Sequence, residues 1–152
     1  MPAAVGQPAP DFKLKDQNNN DVSLADLKGS KAVIAFIPFP YTGTCDAEAC
    51  ALRDDYTSLS ADGSKVILIS CHARPLLAHW AQENNLPFPV LADFWPHGAV
   101  AQAYGCFHEQ LGVALRASYV LDKEGVVRQI IQTSGLGEQR ENAAHGRALA
   151  AI

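Results

Sequence analysis

Apolar and polar residues alternate over 11–16 (Asp-Phe-Lys-Leu-Lys-Asp), the period of a half-buried strand. The run Gln17-Asn-Asn-Asn-Asp21 is turn chemistry, because Asn and Asp tolerate left-handed backbone angles; residues 22–24 are expected to return as the second strand of a hairpin. Residues 31–37 (Lys-Ala-Val-Ile-Ala-Phe-Ile) form a short continuous apolar stretch, consistent with a central strand, and Pro38 and Pro40 end it. A helix follows, with Ala49, Leu52, Tyr56 and Leu59 three or four apart on one face and Cys45 on that face one turn earlier. Residues 65–71 are a second buried strand. Strand, helix and strand in this order predict a parallel pair with a right-handed crossover. A second helix is expected around Pro75, with Leu76, Leu77 and Trp80 in the core. Residues 96–104 predict a short helix ended by Gly105. Strands over 117–121 and 126–132, joined by Asp122-Lys-Glu-Gly125, predict an antiparallel hairpin, and 138–151 a closing helix. The sum is an α/β domain with a central mixed sheet, an N-terminal β-hairpin and helices on both faces. No repeat or linker interrupts it, so residues 1–152 are read as one domain.

Composition narrows the partners. Apolar residues make up 48% and charged residues 18% of the chain, which excludes disorder. The formal charge of −4 offers no basic face for nucleic acid and no polybasic membrane anchor. The first residues lack the basic start and apolar run of a signal peptide, and a cytoplasmic protein is expected. The cysteines, at 45, 50, 71 and 106, are then not a disulfide framework, and their spacing lacks the paired short gaps of a zinc site. The histidines show no metal spacing and receive no role.

Cys45 lies where an apolar strand hands over to a helix. A thiol there meets the free backbone N–H groups of a helix N-terminus, which favour the thiolate, the nucleophilic form. Taken alone, it is equally an ordinary buried cysteine.

The surroundings of Cys45 resemble the peroxiredoxins. Pro38, Thr42 and Cys45 match that family's pattern of Pro, three residues, Thr or Ser, two residues, Cys. Arg116 precedes the strand Ser118-Tyr-Val-Leu-Asp122, where the family places an active-site arginine, and Ala9-Pro-Asp-Phe12 also matches. The segment 93–105 looks like the E-type, one-cysteine branch of alkyl hydroperoxide reductases. The resemblance spans essentially the whole chain. It implies a thioredoxin-like fold and thiol-dependent reduction of hydrogen peroxide and organic hydroperoxides, with no cofactor and no metal. It also implies a homodimer and a reducing thiol system: thioredoxin, a glutaredoxin-like redoxin or a low-molecular-weight thiol.

By the same resemblance, Cys45 is the nucleophile, Arg116 favours the thiolate and binds peroxide oxygens, and Thr42 hydrogen-bonds the peroxide. Pro38, with no N–H, shields the sulfur, and Glu48 has a supporting polar role. Each has a plainer reading: Thr42 as a helix cap, Arg116 as a surface ion pair, Glu48 as favourable to the helix dipole.

Cys50 departs from the one-cysteine branch. Its five-residue offset matches the Q-type branch (bacterioferritin comigratory protein), where such a cysteine condenses with the sulfenic acid. Along an intact helix, five residues separate Cα atoms by roughly 8–9 Å, beyond the ~7 Å limit of a disulfide, so the first turns must unwind. Cys50 shares the polar stripe with Asp46, Arg53, Asp54 and Thr57. A resolving and a bystander role both stand open. Cys71 and Cys106 are read as core, Cys71 also as a reserve resolving thiol; Trp80 and Trp95 are read as structural, Trp95 as a possible reporter of oxidation. Competing functions are a disulfide oxidoreductase, disfavoured because that chemistry uses Cys-x-x-Cys, and a redox sensor or holdase using the same cysteine.

Overall fold

A computed structural model describes residues 2–152. The first elements are strands β1 (Lys13–Lys15) and β2 (Asp21–Ser23), paired antiparallel. Asp16 Oδ1 holds their turn by accepting the N–H groups of Asn18 and Asn20, and Asn19 adopts φ +65°. Leu24, expected to continue the strand, instead opens helix α1 (Leu24–Leu27). The Asp26 carboxylate accepts the Ser23 N–H at 2.8 Å and so starts the helix there.

Strand β3 (Ala32–Phe36), helix α2 (Gly43–Leu59) and strand β4 (Lys65–Ser70) form the expected crossover, β3 and β4 pairing parallel. Helix α3 (Arg74–Glu83) leads to β5 (Val90–Ala92), which adds to β4 in parallel. Helix α4 (Ala99–Tyr104) and the small hairpin β6 (Phe107–His108) and β7 (Val113–Ala114) precede the antiparallel pair β8 (Ala117–Leu121) and β9 (Val127–Gln132). Helix α5 (Ala143–Ala150) follows. The main sheet has the order β2-β1-β5-β4-β3-β8-β9 and is mixed.

Alternation along β3 divides the core. Ala32, Ile34 and Phe36 face a layer with α1 and α4, while Val33, Ala35 and Ile37 face α2, α3 and α5. Every residue of β3 is buried, as its uninterrupted apolar run requires for a strand covered on both sides. No helix among the described residues is long and apolar enough to cross a membrane.

Several expectations give way. Leu76 is 39% exposed, because the buried face of α3 is carried by Leu77, Trp80 and Ala81. The helix expected from 96 begins at Ala99, where the buried Asp93 carboxylate accepts the N–H groups of Val100 and Ala101. The closing helix expected from 138 begins at Ala143, because the Arg140 N–H is taken by a carboxylate of α2. Trp95 is not structural: it is 82% exposed, whereas Trp80 is fully buried.

Candidate active site

The carboxyl ends of β3, β4 and β5 lie together, and the loop after β3 delivers the chain to the N-terminus of α2. In open α/β sheets ligands gather at such strand ends. Pro38 and Pro40 are buried and stop the strand, and Tyr41 takes φ +71°, which swings the chain into the helix. The turn is pinned from both sides. The Tyr41 N–H donates to Asp46 Oδ1 at 3.0 Å, and the Tyr41 hydroxyl meets His79 Nδ1 (2.8 Å) and Glu83 Oε1 (3.1 Å) on α3. Trp80 Nε1 donates to the same Asp46 oxygen at 2.8 Å.

Cys45 is in the first turn of α2, on the buried face predicted for it, with no exposed surface. The first bond of the helix runs from the Asp46 N–H back to the Thr42 carbonyl at 2.9 Å, so the amides of 43–45 have no helical carbonyl four residues before them. Two donors converge on the sulfur: the Phe39 N–H at 3.3 Å and Arg116 Nη1 at 3.2 Å. A sulfur that accepts from a backbone amide and a guanidinium at a helix N-terminus sits where negative charge is favoured.

Arg116 comes from the residue before β8 and is 3% exposed, which rules out the surface ion pair. Its Nε donates to the Leu136 carbonyl at 2.7 Å, and its Nη1 also reaches Glu48 Oε1 at 2.5 Å. Glu48, one turn beyond Cys45, is buried on the same face of α2. Burial alone would raise its carboxyl, but Arg140 and then Arg116 outweigh that and hold it below the ordinary glutamate value. Arg140 supplies three donors: its backbone N–H (2.7 Å) and Nε (2.9 Å) to Oε2, and Nη2 (2.9 Å) to Oε1.

Charge makes the arrangement intelligible. Two buried guanidiniums face one carboxylate, an excess of one positive charge in a poorly solvated place. A thiolate at Cys45 brings the cluster to neutrality. The neighbouring His145 adds no charge: burial, and then Arg140 beside it, depress its pKa to about 4.

Thr42 is the N-cap residue but makes no side-chain cap; its exposed hydroxyl donates to the Phe39 carbonyl at 2.6 Å. The structure thus brings Cys45, Arg116 and Glu48 into contact, with Pro38 and Thr42 on the loop around them. Cys50 is not brought to Cys45. Both thiols are free within a continuous α2, and Cys50 is half-buried against α3, its sulfur 3.6 Å from Asn84 Oδ1. Cys71 and Cys106 are buried, as expected, and lie in the layer on the other side of the sheet; burial pushes both thiols up to about 12. Arg140 is the site residue that sequence reasoning missed. Its partner lies 92 positions away, and the only local signal was a carboxylate, Glu48, on an otherwise apolar helix face.

The AhpC/TSA family model matches residues 5–130. The chain belongs to that family. Alkyl hydroperoxide reductase E of Mycobacterium tuberculosis is 42% identical over 149 residues, 97% of each chain. Chloroplastic peroxiredoxin Q of Triticum aestivum is 37% identical over 126 residues, 82% of this chain and 57% of its own. The crystal structure of Enterococcus faecalis AhpC superposes with a TM-score of 0.89 at 26% identity, covering 98% of this chain and 92% of that one. Peroxidoxin BcpB of Mycobacterium tuberculosis gives 0.84 at 26%, covering 97% and 95%. The fold is accordingly the thioredoxin-like fold of peroxiredoxins. Both branches named on sequence grounds, E-type and Q-type, appear among these AhpC/TSA relatives, and the family likeness supports a thiol-dependent peroxidase, an oxidoreductase.

Proposed function

We propose that the protein reduces hydrogen peroxide and organic hydroperoxides with Cys45 as the nucleophile. The observation that carries this is the Cys45 sulfur accepting hydrogen bonds from both the Phe39 amide and Arg116 within a buried cluster that a thiolate makes neutral. The thiolate attacks one peroxide oxygen; the O–O bond breaks, and the other oxygen leaves as alkoxide or hydroxide and takes a proton. Cys45 becomes a sulfenic acid and the peroxide an alcohol or water. Arg116 and the free amides at the start of α2 are donors for the developing oxyanion, the Thr42 hydroxyl orients the peroxide, and Pro38 keeps water from the sulfur. Glu48 and Arg140 hold Arg116 in place. Donors and a nucleophile suffice, so the reaction calls on no metal or organic cofactor.

In the second step Cys50 attacks the sulfenic sulfur, releasing water and forming a Cys45–Cys50 disulfide. The continuous helix requires the first turns of α2 to unwind for this. A dithiol or low-molecular-weight thiol then returns both cysteines to the reduced state. A second copy of the chain is expected at the edge near the site. Phe94 and Trp95, which follow β5 at the same sheet end, are 50% and 82% exposed, and Tyr41 on the site loop is 47% exposed. Action in the cytoplasm accords with free thiols throughout the described residues.

The test is peroxide consumption by reduced protein with a thiol reductant, together with intact mass after one equivalent of hydrogen peroxide. Consumption that vanishes in Cys45→Ser is expected, as is a loss of about 2 Da mapping to a 45–50 link. Consumption unchanged in Cys45→Ser would refute the reading. A gain of about 16 or 32 Da on Cys45 would replace internal resolution by a one-cysteine cycle.

A further inference from the structure

Ser118 is an anomaly in its strand. It alternates with Val120 on the side of β8 that faces α2 and α5, is fully buried, and pairs in register with Ala35 and Ile131. A buried hydroxyl at an apolar position is costly unless hydrogen-bonded. Its partners are His145 Nε2 at 2.9 Å and Arg140 Nη1 at 3.0 Å. His145, on α5, is 2% exposed, and its Nδ1 lies 3.0 Å from the Asn142 carbonyl.

With the imidazole neutral, these contacts allow one arrangement of protons. A carbonyl only accepts, so Nδ1 of His145 carries the hydrogen and Nε2 presents a lone pair. The Ser118 hydroxyl must therefore donate to Nε2, leaving its oxygen to accept from Arg140 Nη1. Arg140 spends its remaining described donors on Glu48, and Glu48 Oε1 receives Arg116 Nη1, which also contacts the Cys45 sulfur. Each link has a defined donor and acceptor, from the Asn142 carbonyl just before α5 to the sulfur.

We propose that Ser118 and His145 are positioning residues of the Cys45 site, acting through Arg140 and Glu48 to hold Arg116 against the sulfur. The proposal rests on the peroxidase reading above. Without the Ser118 acceptor, Arg140 Nη1 is buried with no partner. The guanidinium then turns to find one and carries Glu48 and Arg116 with it. A displacement of about 1 Å at reacting groups is enough for rate losses of up to roughly 100-fold.

The experiment measures the second-order rate constant of reduced protein with hydrogen peroxide for wild type, Ser118→Ala, His145→Leu, His145→Gln and the Ser118→Ala/His145→Leu double variant, with circular dichroism establishing that each is folded. Losses of about tenfold or more are expected for Ser118→Ala and His145→Leu, with the double variant no slower than the slower single. His145→Gln is expected to recover most of the rate, since its amide oxygen can accept from Ser118, a recovery that a merely space-filling role would not give. With an active wild type, Ser118→Ala and His145→Leu rates within twofold of it, multiplying losses in the double variant, or a His145→Gln as slow as His145→Leu would each overturn the proposal alone. An inactive wild type would overturn the peroxidase reading and this proposal together. Should His145→Leu not fold, Ser118→Ala decides by itself.

Discussion

Replacing His145 by glutamine is expected to remove a large part of the protein's sensitivity to mild acid. The imidazole titrates near 6.5 when free, but burial and then Arg140 push it to about 4 in the folded chain. Between those values the unfolded chain binds a proton that the folded chain refuses, so stability falls as pH falls through this window. Arg140 and Glu48 face the ring; both are retained in His145→Gln, and Glu48 is held below its ordinary value in the fold. For one site with these two pKa values, the loss is about 0.2 kcal/mol at pH 7 and about 2 kcal/mol at pH 5. In a chain of this size that corresponds to about 4–8 °C in Tm. Urea unfolding of reduced protein at pH 7 and pH 5, at constant ionic strength, measures it. The wild type should lose about 2 kcal/mol more than His145→Gln between the two pH values. Equal losses would refute the claim that His145 is buried and neutral against Arg140.

Further expectations follow from the same contacts. Glu48→Gln leaves two buried guanidiniums without their carboxylate and should destabilise the fold by about 3–5 kcal/mol while slowing peroxide reduction; near-wild-type urea stability would contradict the cluster's charge account. Trp80, whose indole N–H is held by Asp46 on the first turn of α2, should change its fluorescence when the 45–50 disulfide forms. The change should be absent in Cys50→Ser, which lacks the thiol needed to close the link; an identical change in that variant would show that the signal does not come from a 45–50 disulfide. Iodoacetamide at pH 8 should alkylate Cys45 and Cys50 but spare Cys71 and Cys106, whose thiols burial holds near 12; rapid labelling of either in native protein would mean that the layer opens readily.

The legible part of this protein was local. The apolar run at 31–37, the helical spacing from Cys45 to Leu59 and the Asp122–Gly125 turn each contain their own instruction in a window of a few residues, and β3, α2 and the β8–β9 hairpin form where they were expected. The placement of Cys45 at a strand-to-helix junction was likewise a sequence property, because Pro38 and Pro40 stop the strand regardless of context. What lay beyond reach depended on partners far along the chain. Leu76 and Leu77 are indistinguishable by type, and only the packing of α3 exposes one and buries the other. Residues 138–142 have helical character on paper, but the Arg140 amide bonds Glu48 instead of continuing a helix. Cys50 was placed on a polar stripe, and only the approach of α3 sets it against Asn84. The sequence by itself determined the strand-to-helix junction that carries Cys45 and the sheet that presents it. Tertiary structure decided the electrostatics around it, because a buried charge is tolerable only with partners, and here they come from α2, the residue before β8 and the segment before α5.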